Sequence, residues 1–478
     1  MRPRKARFED SAPKPGDAKI TATRTQLLVI ALAAVTTTAS VACWPYVGGA
    51  LTLMIQLGFV LVIAWRLMTI MASQGGPPKA MTTPWLPPSE LPRYSVVVAL
   101  YDETEILPPL IGRLEAIDYP ADLLDGYLVL EAHDQKTIET ARSLTLPSWL
   151  QILIAPPGAP TTKPRALNHA LQFARGDLLT VYDAEDDPDP LQLQEAAARF
   201  RTADEDMVCF QAPLRIRRLR KSSNRSGFLD RQFAAEYAAL FEITLPAMAR
   251  MGLPFPLGGT SNHFRISALR ALGGWDAWNV TEDADLGFRI WRRGWRLGVL
   301  SRPTYEPPPG ELVHWLPQRT RWLKGYLQTL LVHTRSTSGM GWRGWSALAL
   351  TLGVASVSAA LHALSVAWIC VFFLMSLLAS RLSDVPWLGL GTLATGTAAA
   401  VLTAAIGARR AGIRFSPWDM LAAPIYWSLL SLAFAHAAVR LIMEPHRWDK
   451  TAHSPDIVDE DASAVPAHLV TESGRAAA

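Results

Sequence analysis

The run Asp183-Ala-Glu185-Asp186-Asp187-Pro-Asp189 holds five acids in seven residues and no base. In extended backbone, residues i and i+2 face the same way, so Asp183 and Glu185 can converge on one oxygen-seeking cation. A solvated loop with helix caps is the bland account of the same run. It suits Asp189-Pro190, which reads as N-cap and first residue of a helix over 191–201. A second group, Thr281-Glu282-Asp283-Ala-Asp285, is followed by Arg289, Arg292, Arg293 and Gly294. Acids in a first turn and arginines in a last turn are ordinary helix punctuation. A carboxylate placed there beside other acids can also be tuned as a general base, and Asp283 is the candidate. A third group is Gln318-Arg319-Thr-Arg321-Trp322-Leu-Lys324. At helical spacing Trp322, Leu323, Tyr326, Leu327, Leu330 and Leu331 share one face, with Gln318, Arg319, Arg321, Lys324 and Gln328 largely elsewhere. The arginines either snorkel at a lipid surface, or Arg319 or Arg321 reaches a phosphate through bidentate bonds.

These groups need elements to position them. Tyr94-Ser-Val-Val-Val-Ala-Leu100 reads as a buried parallel strand, and further strands are predicted over 127–130, 150–154 and 178–182. Helical spacing appears over 106–117, and Thr162 and Lys163 open another helix. Alternation of this kind argues for an open α/β sheet, whose ligands bind outside the carboxyl ends of the strands. Asp102 and Glu103, Glu131 to Asp134, and Asp183 all stand at such ends.

The composition sets the surroundings. Half of the 478 residues are hydrophobic and 18% are charged, against about 25% charged in an average soluble chain. That excludes a disordered chain and argues against a purely soluble one. A net charge of +4 implies no general nucleic-acid affinity. Cys43, Cys209 and Cys370 build neither a disulfide framework nor a zinc site. The apolar runs over 27–44 and 47–65 are each near the roughly 20 residues of a bilayer span and form a hairpin at Pro45. The long polar leader argues against a signal peptide. Its seven basic residues place it in the cytoplasm, which makes the segment 75–343 cytosolic. Apolar runs resume over 345–380, 388–407 and 420–443. As one helix the first would be about 54 Å long, more than a simple span, so it reads as an interface segment plus a span or as two short spans turning near His362. Three or four C-terminal spans follow, and the acidic, polar tail favours four. A transporter would need polar groups inside the spans, and these runs show almost none.

The order of the motifs is more specific than any one of them. A strand ending in acid, Lys163, the D-x-D-like pair Asp183 and Glu185, Thr281-Glu282-Asp283 and Gln318-Arg319-x-Arg321-Trp322 follow one another between membrane hairpins. Together they resemble the membrane-embedded family 2 glycosyltransferases, the group of cellulose-synthase-like and hyaluronan-synthase-like enzymes. Leu257-Gly-Gly-Thr-Ser-Asn-His-Phe264, Gly273-Gly-Trp-Asp276 and Pro445-His-Arg-Trp448-Asp-Lys450-Thr451 are similar to a bacterial branch of the phage-adsorption protein B type. The resemblance spans 94–451.

It implies an α/β fold, with a GT-A-like nucleotide-sugar domain and mostly parallel sheet inserted between N-terminal and C-terminal transmembrane helices. The expected boundaries are a leader over 1–26, a hairpin over 27–72, the cytosolic domain over 90–314, an interfacial helix over 315–334, membrane helices over 345–443 and a tail over 444–478. It implies that Asp102 or Glu103, together with Asp134, lies near the nucleobase, and that Lys163 approaches the diphosphate. Asp183 would touch the ribose or a metal, and Glu185 would ligate the metal, Mg²⁺ or Mn²⁺. Asp283 would be the base, Arg319 and Arg321 would hold the diphosphate, and Trp322 would stack on the acceptor sugar. The partners implied are a UDP-linked donor, a glycan or lipid acceptor, the bilayer of the cytoplasmic membrane, and an export or regulatory protein. Polysaccharide synthesis is the setting the family suggests. One departure is His133-Asp134, where the family usually has two acids. The alternative is a membrane receptor or scaffold that keeps this fold without catalysis.

Overall fold

A computed structural model describes residues 17–74, 86–217, 227–380 and 386–448. Its centre is a seven-stranded sheet in the order β3-β2-β1-β4-β8-β6-β9. The strands are β1 (Tyr94–Leu100), β2 (Leu124–Glu131), β3 (Leu150–Ala155), β4 (Leu178–Tyr182), β6 (Met207–Gln211), β8 (Asn262–Arg265) and β9 (Arg296–Val299). β1, β2, β3 and β4 run parallel; β8 is antiparallel to both β4 and β6. A small second sheet has the order β5-β10-β7, from Asp187–Pro188, Thr304–Glu306 and Leu214–Ile216. Successive side chains of a strand alternate between faces. Val97 and Val129 therefore enter one core and Val96, Val98, Leu128 and Leu130 the other. Helices α3 (Leu107–Glu115), α4 (Gln135–Ser143) and α6 (Gln192–Thr202) cover the second core. Helix α5 (Lys163–Leu171) covers the first. A sheet buried on both faces is why β1 reads as an unbroken apolar run.

From β1 the chain winds outward to β2 and β3, then returns to the other side of β1 as β4. That reversal is the switch point at which open α/β sheets bind ligands.

The first core continues into the helices that carry the remaining motifs. These are α7 (Gly227–Ala238), a π-helical turn Ala239–Thr244, α8 (Leu245–Arg250), α9 (Ile266–Leu272), α10 (Glu282–Arg292) and α11 (Leu312–His333). Helix α11 packs against α10 at Gly325, where a Cβ would come within 2.3 Å of the Thr281 side chain. The missing side chain lets Arg321 and Trp322 approach the Thr281-Glu282-Asp283 turn.

Among the described residues, five helices are long and apolar enough to cross a membrane: Arg24–Cys43, Tyr46–Ala72, Gly341–Leu378, Trp387–Arg410 and Pro417–Met443. They comprise α1 (Arg24–Cys43), α2 (Pro45–Ala72), α12 (Gly341–Leu348) continuing through a π-helical turn into α13 (Val354–Leu378), α14 (Trp387–Arg410) and α15 (Pro417–Met443). The run over 345–380 does not turn at His362. It is one rod whose first turns pack on the domain, where Trp291 Nε1 donates to the Met340 carbonyl at 2.8 Å. Three C-terminal helices result rather than four. Both ends of α15 are held by domain helices: Arg231 and Gln232 of α7 bond Asp419, and Lys324 of α11 bonds the Glu444 carbonyl.

Helix α11 also inverts an expectation. Arg319, Lys324 and Gln328 are buried, so its polar face points inward. Lys324 Nζ donates to the carbonyls of Glu444 (3.1 Å) and Arg447 (2.8 Å). Gln328 donates to the Pro445 carbonyl (2.8 Å) and accepts from the Val280 N–H (3.1 Å). These bonds tie α11 to the chain that follows α15 and satisfy the buried ammonium of Lys324 and amide of Gln328. The end of the leader is tied down as well. Ala18 N–H donates to Asp276 at 2.6 Å, and Arg335 donates to the Asp17 carbonyl at 2.7 Å.

Candidate active site

The acid run after β4 is a tight turn. Asp186 is fully buried; it accepts the Asp183 N–H at 2.7 Å and the Thr260 hydroxyl. Burial, with Asp183 and Glu185 beside it, pushes its carboxyl well above the usual range. Asp186 thus shapes the turn. Asp189 accepts the Leu191 N–H and pairs with Arg302 at 3.0 Å, and the helix starts at Gln192, one residue later than expected. Asp183 and Glu185 are left facing a pocket of about 440 Å³ at the switch point.

That pocket gathers Glu103, Lys163, Asp183, Glu185, Asp283, Arg321 and Trp322 from five separate stretches of chain. Lys163, at the start of α5, donates to Asp183 and to the Gly259 carbonyl (2.7 Å). Burial would lower its pKa, but Asp183 and Glu282 hold it above the ordinary lysine value. Asp283 stands in the first turn of α10 with Oδ1 accepting the Ala284 N–H at 2.8 Å. Burial lifts its carboxyl above the ordinary value, against the pull of Lys163 and Arg321. Its neighbour Glu282 is pushed up to about 8, by burial first and then by Asp283. Glu185 is raised to about 7 by burial and by Asp183. Between Asp283 and Lys163 the wall is Gly259, whose absent Cβ would sit 3.5 Å from Asp283 Oδ2 and 3.9 Å from Lys163 Nζ. Backbone there leaves room for a ligand.

Arg321 lies with its guanidinium 4.6 Å from the ring centre of Trp448, which also lines the pocket. Its Nε and the Oε1 of Gln318 are buried without a partner. Two unsatisfied polar atoms facing one pocket are what a bound polar group would satisfy. The lining carries seven carboxyl groups, Glu103, Glu131, Asp183, Glu185, Glu282, Asp283 and Glu306, against the two bases Lys163 and Arg321. An anionic diphosphate entering alone would meet more carboxyl groups than cations. Asp183 and Glu185 offer the hard oxygen atoms that Mg²⁺ or Mn²⁺ prefers, and such a cation would reverse the sign locally. Among the described residues no three acidic, His or Cys side chains form a ready-made metal cluster. The cation would therefore need the diphosphate as further ligand.

Three expected residues fall outside this pocket. Asp134 is the N-cap of α4, with Oδ1 accepting the Thr137 N–H (3.2 Å) and Oδ2 the Asp102 N–H (2.5 Å). Its carboxylate organises the loop through these two N–H groups. Asp102 adopts a left-handed backbone conformation (φ 53°) that turns the chain, and its neighbour Glu103 is the one on the lining. Arg319 pairs with Glu236 at 2.7 Å and lies against the rings of Trp322 and Phe233, and it does not line this pocket. Conversely Glu131, Glu306, Tyr237, Tyr326 and Trp448 line the pocket without having been singled out. Glu131 ends a strand, and Trp448 belongs to the tail motif, so those two had a signal.

Residues 178–383 match the family profile "Glycosyl transferase family group 2", a stretch that starts with β4 and includes Asp183, Asp283 and Trp322. Over that stretch the chain matches a family 2 glycosyltransferase domain. The domain is similar to a beta-monoglucosyldiacylglycerol synthase of Synechocystis sp., 27% identical over 259 residues, which are 53% of this chain and 52% of that one. A probable glycosyltransferase, YdaM, of Bacillus subtilis is 24% identical over 239 residues, 49% of this chain and 56% of the other. The chain thus spans about half the length of the curated relatives it matches. Among solved structures, the mannosyltransferase PcManGT of Pyrobaculum calidifontis, in complex with GDP-Man and Mn²⁺, aligns with a TM-score of 0.50 at 19% identity, covering 81% of this chain and 98% of that one. The family 2 domain has the GT-A-like fold, with its mostly parallel sheet between apolar helices at both ends of the chain.

Proposed function

We propose that the chain transfers a sugar from a nucleotide-sugar donor to a hydroxyl of a glycan or lipid acceptor presented at the membrane, with inversion at the anomeric carbon. The observation that carries this is the convergence of Asp183, Lys163, Asp283, Arg321 and Trp322 on one pocket at the sheet's switch point. Lys163 and Arg321 are the cations available to the departing diphosphate. Asp283 takes the acceptor proton, and burial makes its carboxylate a stronger base than a free one. Trp322 presents a flat ring to the acceptor. A divalent cation held by Asp183 and Glu185 supplies charge neutralisation at the diphosphate. The GDP-Man and Mn²⁺ bound by PcManGT support that assignment. The names of the glucosyldiacylglycerol synthase and of a cellulose synthase from Novacetimonas hansenii, 25% identical over 271 residues, 56% of this chain and 16% of that one, support lipid and glycan acceptors respectively.

The catalytic segment occupies about residues 90–314, faces the cytosol with the basic leader, and sits on the cytoplasmic membrane. A non-catalytic scaffold would have no need to keep Asp183, Glu185 and Asp283 together. The test is release of nucleoside diphosphate by the purified full chain across UDP- and GDP-linked sugars with Mg²⁺ or Mn²⁺. Release with one donor class is expected; nucleotide binding without release from any donor would favour the scaffold.

A further inference from the structure

A second cavity, of about 900 Å³, lies among α2, α13, α14 and α15. It shares Leu240, Pro256, Trp322 and Tyr326 with the catalytic pocket, so the two meet at the acceptor side of Asp283. Its charged lining residues are Arg66, Glu236 and Arg319. All three sit at the domain end, near the end of α2 that Arg250 ties to the domain through the Ala72 carbonyl at 2.8 Å. Away from that end the walls are mostly apolar, with Phe59, Ile63, Trp368 and Leu393, and the polar side chains Gln56, Ser358, His362 and Ser365 are spaced among them. The threonines among them add little polarity. Thr52, Thr351, Thr392 and Thr403 each donate their hydroxyl to a carbonyl one turn back in their own helix, at 2.7–2.9 Å. A hydroxyl-rich glycan passing such walls would leave most of its polar groups unbonded, whereas an acyl chain has none to lose. The walls belong to helices with the length and apolarity of membrane spans, so lipid is the molecule at hand.

We infer that this cavity holds the acyl chains of a lipid acceptor with a free hydroxyl head group, of the diacylglycerol kind, whose hydroxyl passes Trp322 and Tyr326 to reach Asp283. This rests on the glycosyl-transfer reading above. In the step, the bond from the sugar's anomeric carbon to the diphosphate oxygen breaks and a bond to the lipid oxygen forms. The hydroxyl proton goes to Asp283, and the nucleoside diphosphate leaves. A phosphate-headed lipid is already ionised near neutral pH and would need no base, so the buried carboxylate at Asp283 favours the hydroxyl.

The test uses the purified full chain and a diacylglycerol with a photoactivatable diazirine in one acyl tail. Cross-links are expected on cavity residues such as Phe59, Ile63 or Leu393 and should be competed by plain diacylglycerol. Ala355→Phe and Ala400→Phe, which fill the cavity from α13 and α14, should each lower transfer to diacylglycerol by about tenfold or more while leaving nucleotide titrations unchanged. Uncompeted labelling confined to the outer helix faces, undiminished lipid transfer by both variants, or transfer to a soluble oligosaccharide that neither variant slows would overturn the assignment. Nucleotide titration of the unaltered chain reads the catalytic pocket separately. Failure to bind any donor nucleotide would sink the glycosyl-transfer reading itself, and the lipid assignment with it.

Discussion

Arg319 turns its guanidinium to Glu236, with Nη2 2.7 Å from Oε2, while Arg321, two residues along the same helix, faces the catalytic pocket beside Trp448. Residues two apart on a helix point about 200° from each other, so both arginines could not serve one diphosphate. Arg319 instead closes a polar cluster with Glu236 and Tyr426, whose hydroxyl accepts from Arg319 at 3.0 Å.

The two arginines should therefore separate in a binding assay. Arg321→Ala is expected to raise the Kd for nucleoside diphosphate by about 10- to 100-fold, the scale of a lost charge-assisted bond. Arg321→Lys should recover only part, because the planar fork is gone. Arg319→Ala should leave that Kd nearly unchanged and lower Tm, since it strands a partly buried Glu236. A large nucleotide-affinity loss in Arg319→Ala would contradict the division of labour.

Chelation tests the excess of carboxylates. EDTA should abolish sugar transfer, and Mg²⁺ or Mn²⁺ should restore it. Asp183→Asn and Glu185→Gln should lose the metal-dependent part of nucleotide affinity measured by titration. Gly259→Val, which places a side chain between Lys163 and Asp283, should weaken donor binding with or without metal. Full activity in chelator would remove the cation from the account.

His263 in β8 gives the stability a definite pH dependence. Its Nδ1 lies 2.6 Å from the Tyr94 hydroxyl and its Nε2 3.1 Å from Gln192 Oε1. Burial lowers its pKa to about 3. The folded state thus binds fewer protons than the unfolded chain between about pH 6.5 and 3, and stability falls as pH falls through that window. The loss should reach about 4 kcal/mol near pH 3. Denaturant titrations at several pH values should show a shallower acid slope for His263→Gln, although that variant is less stable at pH 7. An unchanged slope would mean that this imidazole protonates in the folded state.

The apolar helices raise a question of side. Helix α1 leaves the domain at Arg24, where Gln26 is bonded to the Leu331 carbonyl at 2.7 Å, and ends at the exposed Cys43. Helix α15 has both ends on the domain. If α1, α2, α13 and α14 are the helices that cross, residue 444 lies on the domain's side without a fifth crossing. With the other cysteines replaced, Met443→Cys should react with impermeant maleimide only from the cytosolic side, and Cys43 only from the opposite one. Labelling of both positions from one side would refute this topology.

Parts of this architecture are plain in the sequence. Strands β1 and β4 have the bounds their apolar runs predict, because strands buried on both faces admit little else. Strand β2 starts three residues before its apolar run. Asp125 is tolerated inside it by accepting from Ser95 (3.2 Å) and the Arg175 N–H (2.8 Å), partners distant in sequence. The same limit explains Asp134, whose capping of α4 looks like any acid at a strand end. Periodicity also assumes that a buried helix face is apolar. In α11 the buried face is polar because carbonyls following α15 receive Lys324 and Gln328, and nothing local announces them. Asp183, Glu185, Asp283, Arg321 and Trp322 were legible because their order along the chain, more than their spacing, carries the signal.

Asp283→Asn is the most direct test of the account, because Asp283 is assigned the acceptor proton and no part of the donor. Nucleotide affinity and donor affinity should remain within about twofold of the unaltered chain, while the transfer rate falls by about 10²–10⁴-fold. Parallel loss of donor affinity and rate, or transfer at the original rate, would contradict a general base at this position.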